Sequence, residues 1–148
     1  MSFIDLFRSG RLDNITDAVS KDDVIALIGE PDDFISTSSF KSSSIWKYGN
    51  LEFHFESKSY NAKLYMIFWD HAEPPAFCNL DSWIIRRGLK LKEAENLLKN
   101  EGIDYHSFVP EALKDQLTLE TSSGAQLNFI MNQQAVYELF AFSYTFKH

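Results

Sequence analysis

Few stretches of this chain carry residue types that could do chemistry. Glu52, His54 and Glu56 alternate with Leu51, Phe53 and Phe55, which would put two carboxylates and an imidazole on one side of a strand. Such a triplet can form a polar patch or hold a cation, although a metal site usually draws ligands from more than one element. Asp70-His71 with Cys78 nearby has the components of a nucleophilic set, but no local nucleophile signature accompanies them and Pro74-Pro75 separates the groups. Arg86-Arg87 is a basic doublet able to engage a carboxylate or phosphate. Asp22, Asp23, Glu30, Asp32 and Asp33 are dense enough to suggest metal binding or acid/base work, yet their places at a helix start and a turn already account for them. The chain has no phosphate-cradling glycine loop, no G-x-S-x-G and no H-E-x-x-H. The expectation is no catalytic residue, no metal and no cofactor.

The elements that must position these residues are legible from apolar periodicity. Ser20 precedes Val24, Leu27 and Ile28, a helical i, i+3, i+4 face. Asp23 stands where a capping box needs it, and Gly29 and Pro31 end the helix. Ser2 to Phe7 repeats that logic at the N-terminus, with Ser2 as cap. A serine-rich stretch, Asp32 to Ser44, reads as loop or irregular strand. The period then changes to two. Ile45–Tyr48, Leu51–Glu56 and Lys63–Trp69 read as an antiparallel meander with a tight turn at Gly49-Asn50.

The second half repeats the order. Gly88 to Gly102 reads as a helix whose Ala94, Leu97 and Leu98 stand seventy residues after Val24, Leu27 and Ile28. Asp115–Thr121, Gln126–Met131 and Ala135–Phe146 read as strands, and Leu127, Phe129 and Met131 echo Leu51, Phe53 and Phe55. His106 reads as loop. The spacing predicts an α+β protein of two tandem αβββ units, residues 1–72 and 73–148, with antiparallel sheets and helices packed on one face. The joint is Asp70 to Trp83, which carries neither period. Tyr65, Trp69 and Tyr137 lie on the third strands. Either the two units pack those aromatic faces together, or they leave an aromatic and polar surface beside Glu52, His54 and Glu56.

Composition narrows the classes. The chain is 45% apolar and 15% aromatic over 148 residues, too hydrophobic for disorder and long enough for one core. A net charge of −7 argues against nucleic acid and anionic membranes, and favours a basic protein partner if charge has a role at all. The single cysteine, Cys78, excludes an internal disulfide. The first residues, MSFIDLFRSGRLDN, lack a signal-peptide pattern, and the simplest address is the cytoplasm.

The string Ala18-Val19-Ser20-x-x-x-Val24-x-x-x-Ile28-Gly29-x-Pro31 resembles the G-M-[ST]-x-x-x-V-x-x-x-L-G-x-P signature of the small lipoprotein subunit of the outer-membrane β-barrel assembly machinery. It is similar also to the units of the β-lactamase-inhibitory protein family. The match covers about fourteen residues of the first unit, and Gly88, Leu89, Ala94 and Leu98 of the second. Ala18 replaces the signature glycine, Lys90 replaces the capping hydroxyl in the second copy, and the chain has no lipoprotein cysteine. The resemblance implies tandem helix-plus-sheet units whose joined sheets face a target protein. The resulting expectation is a non-enzymatic protein-binding module, an immunity-type inhibitor of a bacterial toxin or effector, acting through Glu52, His54, Glu56, Tyr65, Trp69 and Tyr137. Two alternatives stay open: a small-molecule or enzymatic domain using Asp70, His71 and Arg86 between the units, and a housekeeping structural protein.

Overall fold

The structure, a computed structural model, describes residues 3–12, 20–35, 38–55, 62–67 and 83–146. Among these residues it is an α+β fold of three α-helices and one eight-stranded antiparallel sheet. The helices are α1 (Phe3–Ser9), α2 (Lys21–Ile28) and α3 (Leu91–Asn100). The strands are β1 (Asp33–Phe34), β2 (Ile45–Tyr48), β3 (Leu51–Phe55), β4 (Ala62–Ile67), β5 (Tyr105–Phe108), β6 (Gln116–Thr121), β7 (Gln126–Met131) and β8 (Tyr137–Thr145). Their order across the sheet is β1-β2-β3-β4-β8-β7-β6-β5. The seam is β4 against β8, from Lys63 opposite Thr145 to Ile67 opposite Ala141. The two halves of the chain therefore join edge to edge at this seam, through backbone pairing and not through sheet faces packed on one another.

Helix α2 begins as its sequence dictates. Ser20 Oγ accepts from the Asp23 N–H, and the Asp23 carboxylate accepts from the Ser20 N–H at 2.9 Å. Together these satisfy backbone donors that the first turn leaves without helical partners. Gly29 ends it at φ 89°, a conformation that favours glycine, and its carbonyl accepts from Tyr48 Oη at 2.8 Å. Helix α3 has no such cap, since Lys90 offers no side-chain acceptor. Its hold comes from Ala94 and Leu98, both fully buried, and from the Leu139 N–H donating to the Leu89 carbonyl.

The helices gather over one face of the sheet. Trp46, Tyr48, Leu51, Phe53, Leu64, Leu127, Phe129 and Phe142 are all fully buried there, in one cluster with Phe3, Leu6, Phe7 and Val24. Phe3 meets the Phe142 ring edge-on at 5.3 Å, and Phe7 stacks on it at 5.5 Å. Each such ring contributes roughly 1.5–3 kcal/mol of burial, so these aromatics carry much of the core. Lys21 lies over the rings of Trp46 and Phe55 with its ammonium donating to the Lys41 carbonyl, and desolvation there lowers its pKa.

Several expectations need correction. β5 is a strand where loop was expected, with His106 in it, and β1 takes the strand alternative left open for Asp32 to Ser44, so each half of the sheet has four strands. Both segments are too short to show a period and become strands by pairing with a long neighbour. The helical face at α2 is Val24 with Ile25 and Ile28 packed partly against the core, while Leu27 is half-exposed. Met131 is 44% exposed, because it is the last residue of β7. The alternation expected along β8 breaks at a bulge: Asn128 is opposite Ala141 but Phe129 is opposite Leu139. The extra residue turns Leu139 and Phe142 to the same, helix-covered face. Within the serine-rich stretch, Ser43 is buried and its hydroxyl donates toward the Ile35 and Ile45 carbonyls, which ties the segment to β2.

Candidate functional site

Directly opposite residues on antiparallel strands share a face. Starting from Glu52, the register runs without interruption across seven strands: Lys47, Glu52, Tyr65, Ser143, Gln126, Glu120 and His106. This row lies on the face away from the helices. It exists because β2, β3, β6 and β7 alternate apolar residues, inward, with polar ones, outward. Leu51 and Phe53 are buried while Glu52 and His54 between and beside them are half-exposed.

Two groups of side chains on this face bond among themselves, Lys47 with Glu52 and the neighbouring His54, and Ser143 with Gln126 and Glu120. The His54 and Glu52 side chains are joined through Nε2 and Oε2 at 2.7 Å. Lys47 Nζ is 3.4 Å from the other Glu52 oxygen. Gln126 Nε2 donates to Glu120 at 2.6 Å, and Ser143 Oγ donates to Gln126 Oε1 at 3.3 Å. Glu52 is 17% exposed at its side chain against about a third for His54 and Lys47, so the carboxylate sits between its partners rather than standing into solvent. Further along the face, Thr118 donates to Asn128 Oδ1 at 2.9 Å and is itself buried. It is a short side chain set between Phe108 and Asn128 in register. Exposed apolar residues, Phe108 and Ile130, stand at the β5–β7 end of the same face.

The sequence-predicted site residues divide. Glu52 and His54 are in direct contact. Tyr65 takes the register position beside Glu52; its side chain lies outside the described residues, as do Glu56 and Trp69. Tyr137 is placed elsewhere: it opposes Met131 at the start of β8 and packs partly against the helix-covered core, so the structure does not bring it to Glu52. Asp70, His71 and Cys78 lie outside the described residues. Arg86 is exposed and ion-paired to Glu93 on α3. Among the described residues no group of three His, Cys, Asp or Glu side chains could hold a metal ion. No helix among them is long and apolar enough to cross a membrane. Sequence reasoning missed Lys47, Glu120, Gln126, Ser143 and His106. The first three were available as outward period-two positions; the last two needed the bulge and the β5 pairing.

Chemically the row is a broad surface of hydrogen-bonded polar groups with two carboxylates, Glu52 and Glu120. A cleft of about 570 Å³ lies apart from this pair, at the sheet edge between α3 and β5. The fold thus defines an α+β protein with one helix-covered sheet face and one polar face. No family model matches the chain, and no curated protein or solved structure matches it.

Proposed function

We propose that this protein is a non-enzymatic binding module that docks another protein on the polar face of its sheet. The observation that carries the reading is the unbroken register row from Lys47 to His106, whose carboxylates are held in place by hydrogen bonds rather than left to wander. Preorganised polar groups with exposed Phe108 and Ile130 at one end of the face offer both the hydrogen bonds and the apolar area that protein interfaces use. With a net charge of −7 the chain attracts a basic partner at long range. An immunity-type role, in which the face occludes the working surface of a toxin or effector inside the cytoplasm, fits this size and charge.

The same reading includes an origin in two tandem units. The sheet order supports it: α2 is followed by the meander β1–β4, α3 by the meander β5–β8, and the last strand of each meets at the seam.

Co-purification from native cells tests the function. The wild-type chain is expected to retain a macromolecule that a Glu52→Lys, Glu120→Lys variant of equal stability releases, and retention should fall with added salt. A chain that captures no macromolecule but holds a metabolite would overturn the reading.

A further inference from the structure

The cleft between α3 and β5 collects polar groups that the fold does not consume. Glu95 and Lys99 line it from α3, and Asp104, Tyr105, His106 and Ser107 line it from the strand side. Among the described residues, the side chains of Glu95, Lys99 and Asp104 form no ion pair and no hydrogen bond, although charges of both signs share the cleft. Their neighbours differ: Glu93 is paired with Arg86, and Glu101 with Arg8. At about 570 Å³ the cleft has the size of a ligand site. It also borders open backbone. The Ser122 N–H donates to the Asp104 carbonyl at 3.1 Å, so the even-numbered residues of β5 bond β6. The N–H and C=O groups of Tyr105 and Ser107 therefore point away from β6, along the edge of the sheet. No lysine, proline or bulge within β5 blunts that edge.

We propose that this cleft receives an extended, basic segment of another protein, which adds to the sheet as a strand beside β5. The backbone of the segment pairs with the outward groups of Tyr105 and Ser107. Its side chains alternate between the two sides of the sheet. Tyr105 packs partly against the helix-covered core, so residues of the segment opposite Tyr105 and Ser107 enter the cleft beside α3. The lining there has two carboxylates, Glu95 and Asp104, to the one ammonium of Lys99, which favours lysine or arginine at those positions. The residue between them falls on the polar face beside His106, whose ring stacks on Phe108 at 5.7 Å and offers a flat contact to an aromatic side chain. Charge sets this occupant apart from the edge strands of a second copy. β5 reads Tyr105-His106-Ser107-Phe108 and β1 reads Asp33-Phe34, so neither brings a lysine or arginine to Glu95 and Asp104, and a second chain adds a further charge of −7. The contact is separate from docking on the polar face, since it needs neither Glu52 nor Glu120.

The probe is the end-capped peptide acetyl-Ser-Lys-Phe-Lys-Ser-amide, titrated into the purified full chain while backbone amide chemical shifts are followed. Binding is expected with a dissociation constant on the order of 100 μM and with the largest shifts from Asp104 to Phe108. Glu95→Lys and Asp104→Lys should each weaken it about tenfold. Ser107→Pro removes an outward N–H without touching the β6 ladder, and should abolish binding while the other amide signals stay those of the folded chain. Glu52→Lys should change the affinity by less than about twofold, which separates this site from the polar-face reading. No binding at about 1 mM peptide overturns the proposal, as do shifts confined to the polar face. Equal binding of a peptide with glutamate in place of lysine overturns the charge argument and with it the basic occupant. A peptide N-methylated at every residue that binds as tightly as its parent overturns strand addition. So does free lysine bound as tightly as the peptide, because the open backbone of β5 then plays no part.

Discussion

Replacing Gly10 with alanine tests how α1 is fastened to the sheet. Gly10 follows α1 at φ 73°, and its N–H donates to the Leu6 carbonyl at 2.9 Å. Its own carbonyl accepts from Tyr144 Oη at 3.1 Å, a bond between residues 134 positions apart. A methyl at Gly10 would stand 2.5 Å from Tyr144 Oη and 3.6 Å from Cζ. The positive φ costs alanine about 1 kcal/mol relative to glycine. Moving the hydroxyl away breaks a buried hydrogen bond worth about 1–2 kcal/mol. The sum is about 2–3 kcal/mol, or a fall of roughly 5–10 °C in Tm for a chain of this size. Tyr144→Phe alone should cost about 1 kcal/mol. The double variant is the discriminating one: without the hydroxyl the methyl meets Cζ at 3.6 Å and the Ser123 carbonyl at 3.8 Å, both ordinary contact distances. Its cost should be near 2 kcal/mol, below the sum of the singles. Denaturant unfolding of the four proteins measures this directly. A Gly10→Ala cost under about 0.5 kcal/mol, or strict additivity with Tyr144→Phe, would refute the close approach and its consequence for α1.

Other perturbations have outcomes as definite. Ser20→Ala should lower stability by about 1 kcal/mol through loss of the α2 cap, read by thermal unfolding. Hydrogen bonds from the Ser20 side chain and then its backbone N–H hold the Asp23 carboxyl below its ordinary 3.8. The cap's contribution is therefore complete above about pH 4 and fades as pH falls through the lower, folded-state value, and Ser20→Ala should flatten that limb of the pH–stability curve. Trp46→Ala removes a fully buried ring and the donor to the Phe40 carbonyl, and should cost about 3–5 kcal/mol in denaturant titration. Arg8→Ala, by contrast, breaks an exposed 2.6 Å pair with Glu101 and should change stability by less than about 1 kcal/mol.

Much of the fold was legible because it rests on local signals. Ser20, Asp23 and Gly29 announce α2, and the alternation from Leu51 to Phe55 announces β3 and its polar face. The seam was not legible: pairing β4 with β8 requires Leu64 to meet Tyr144, a contact with no trace in either segment. The bulge between Asn128 and Phe129 was hidden as well, since a run such as Leu139-Phe140-Ala141-Phe142 is apolar in both possible phases. β1 and β5 owe their strand character to neighbours. For the same reason the candidate site was half readable. The Glu52–His54 pair follows from spacing two residues apart on one strand, whereas joining it to Glu120 and His106 depends on registers that only the assembled sheet defines.

One affinity comparison decides whether the polar sheet face is the docking surface proposed above. Titration calorimetry of a captured partner against the wild-type chain, Glu52→Lys and Glu30→Lys isolates the face from net charge, because both variants change the total equally and Glu30 lies in the turn after α2. Glu52→Lys is predicted to lose at least roughly 2 kcal/mol of binding while Glu30→Lys stays within about 0.5 kcal/mol of wild type. Equal losses for the two variants, or none for Glu52→Lys, would contradict the claim.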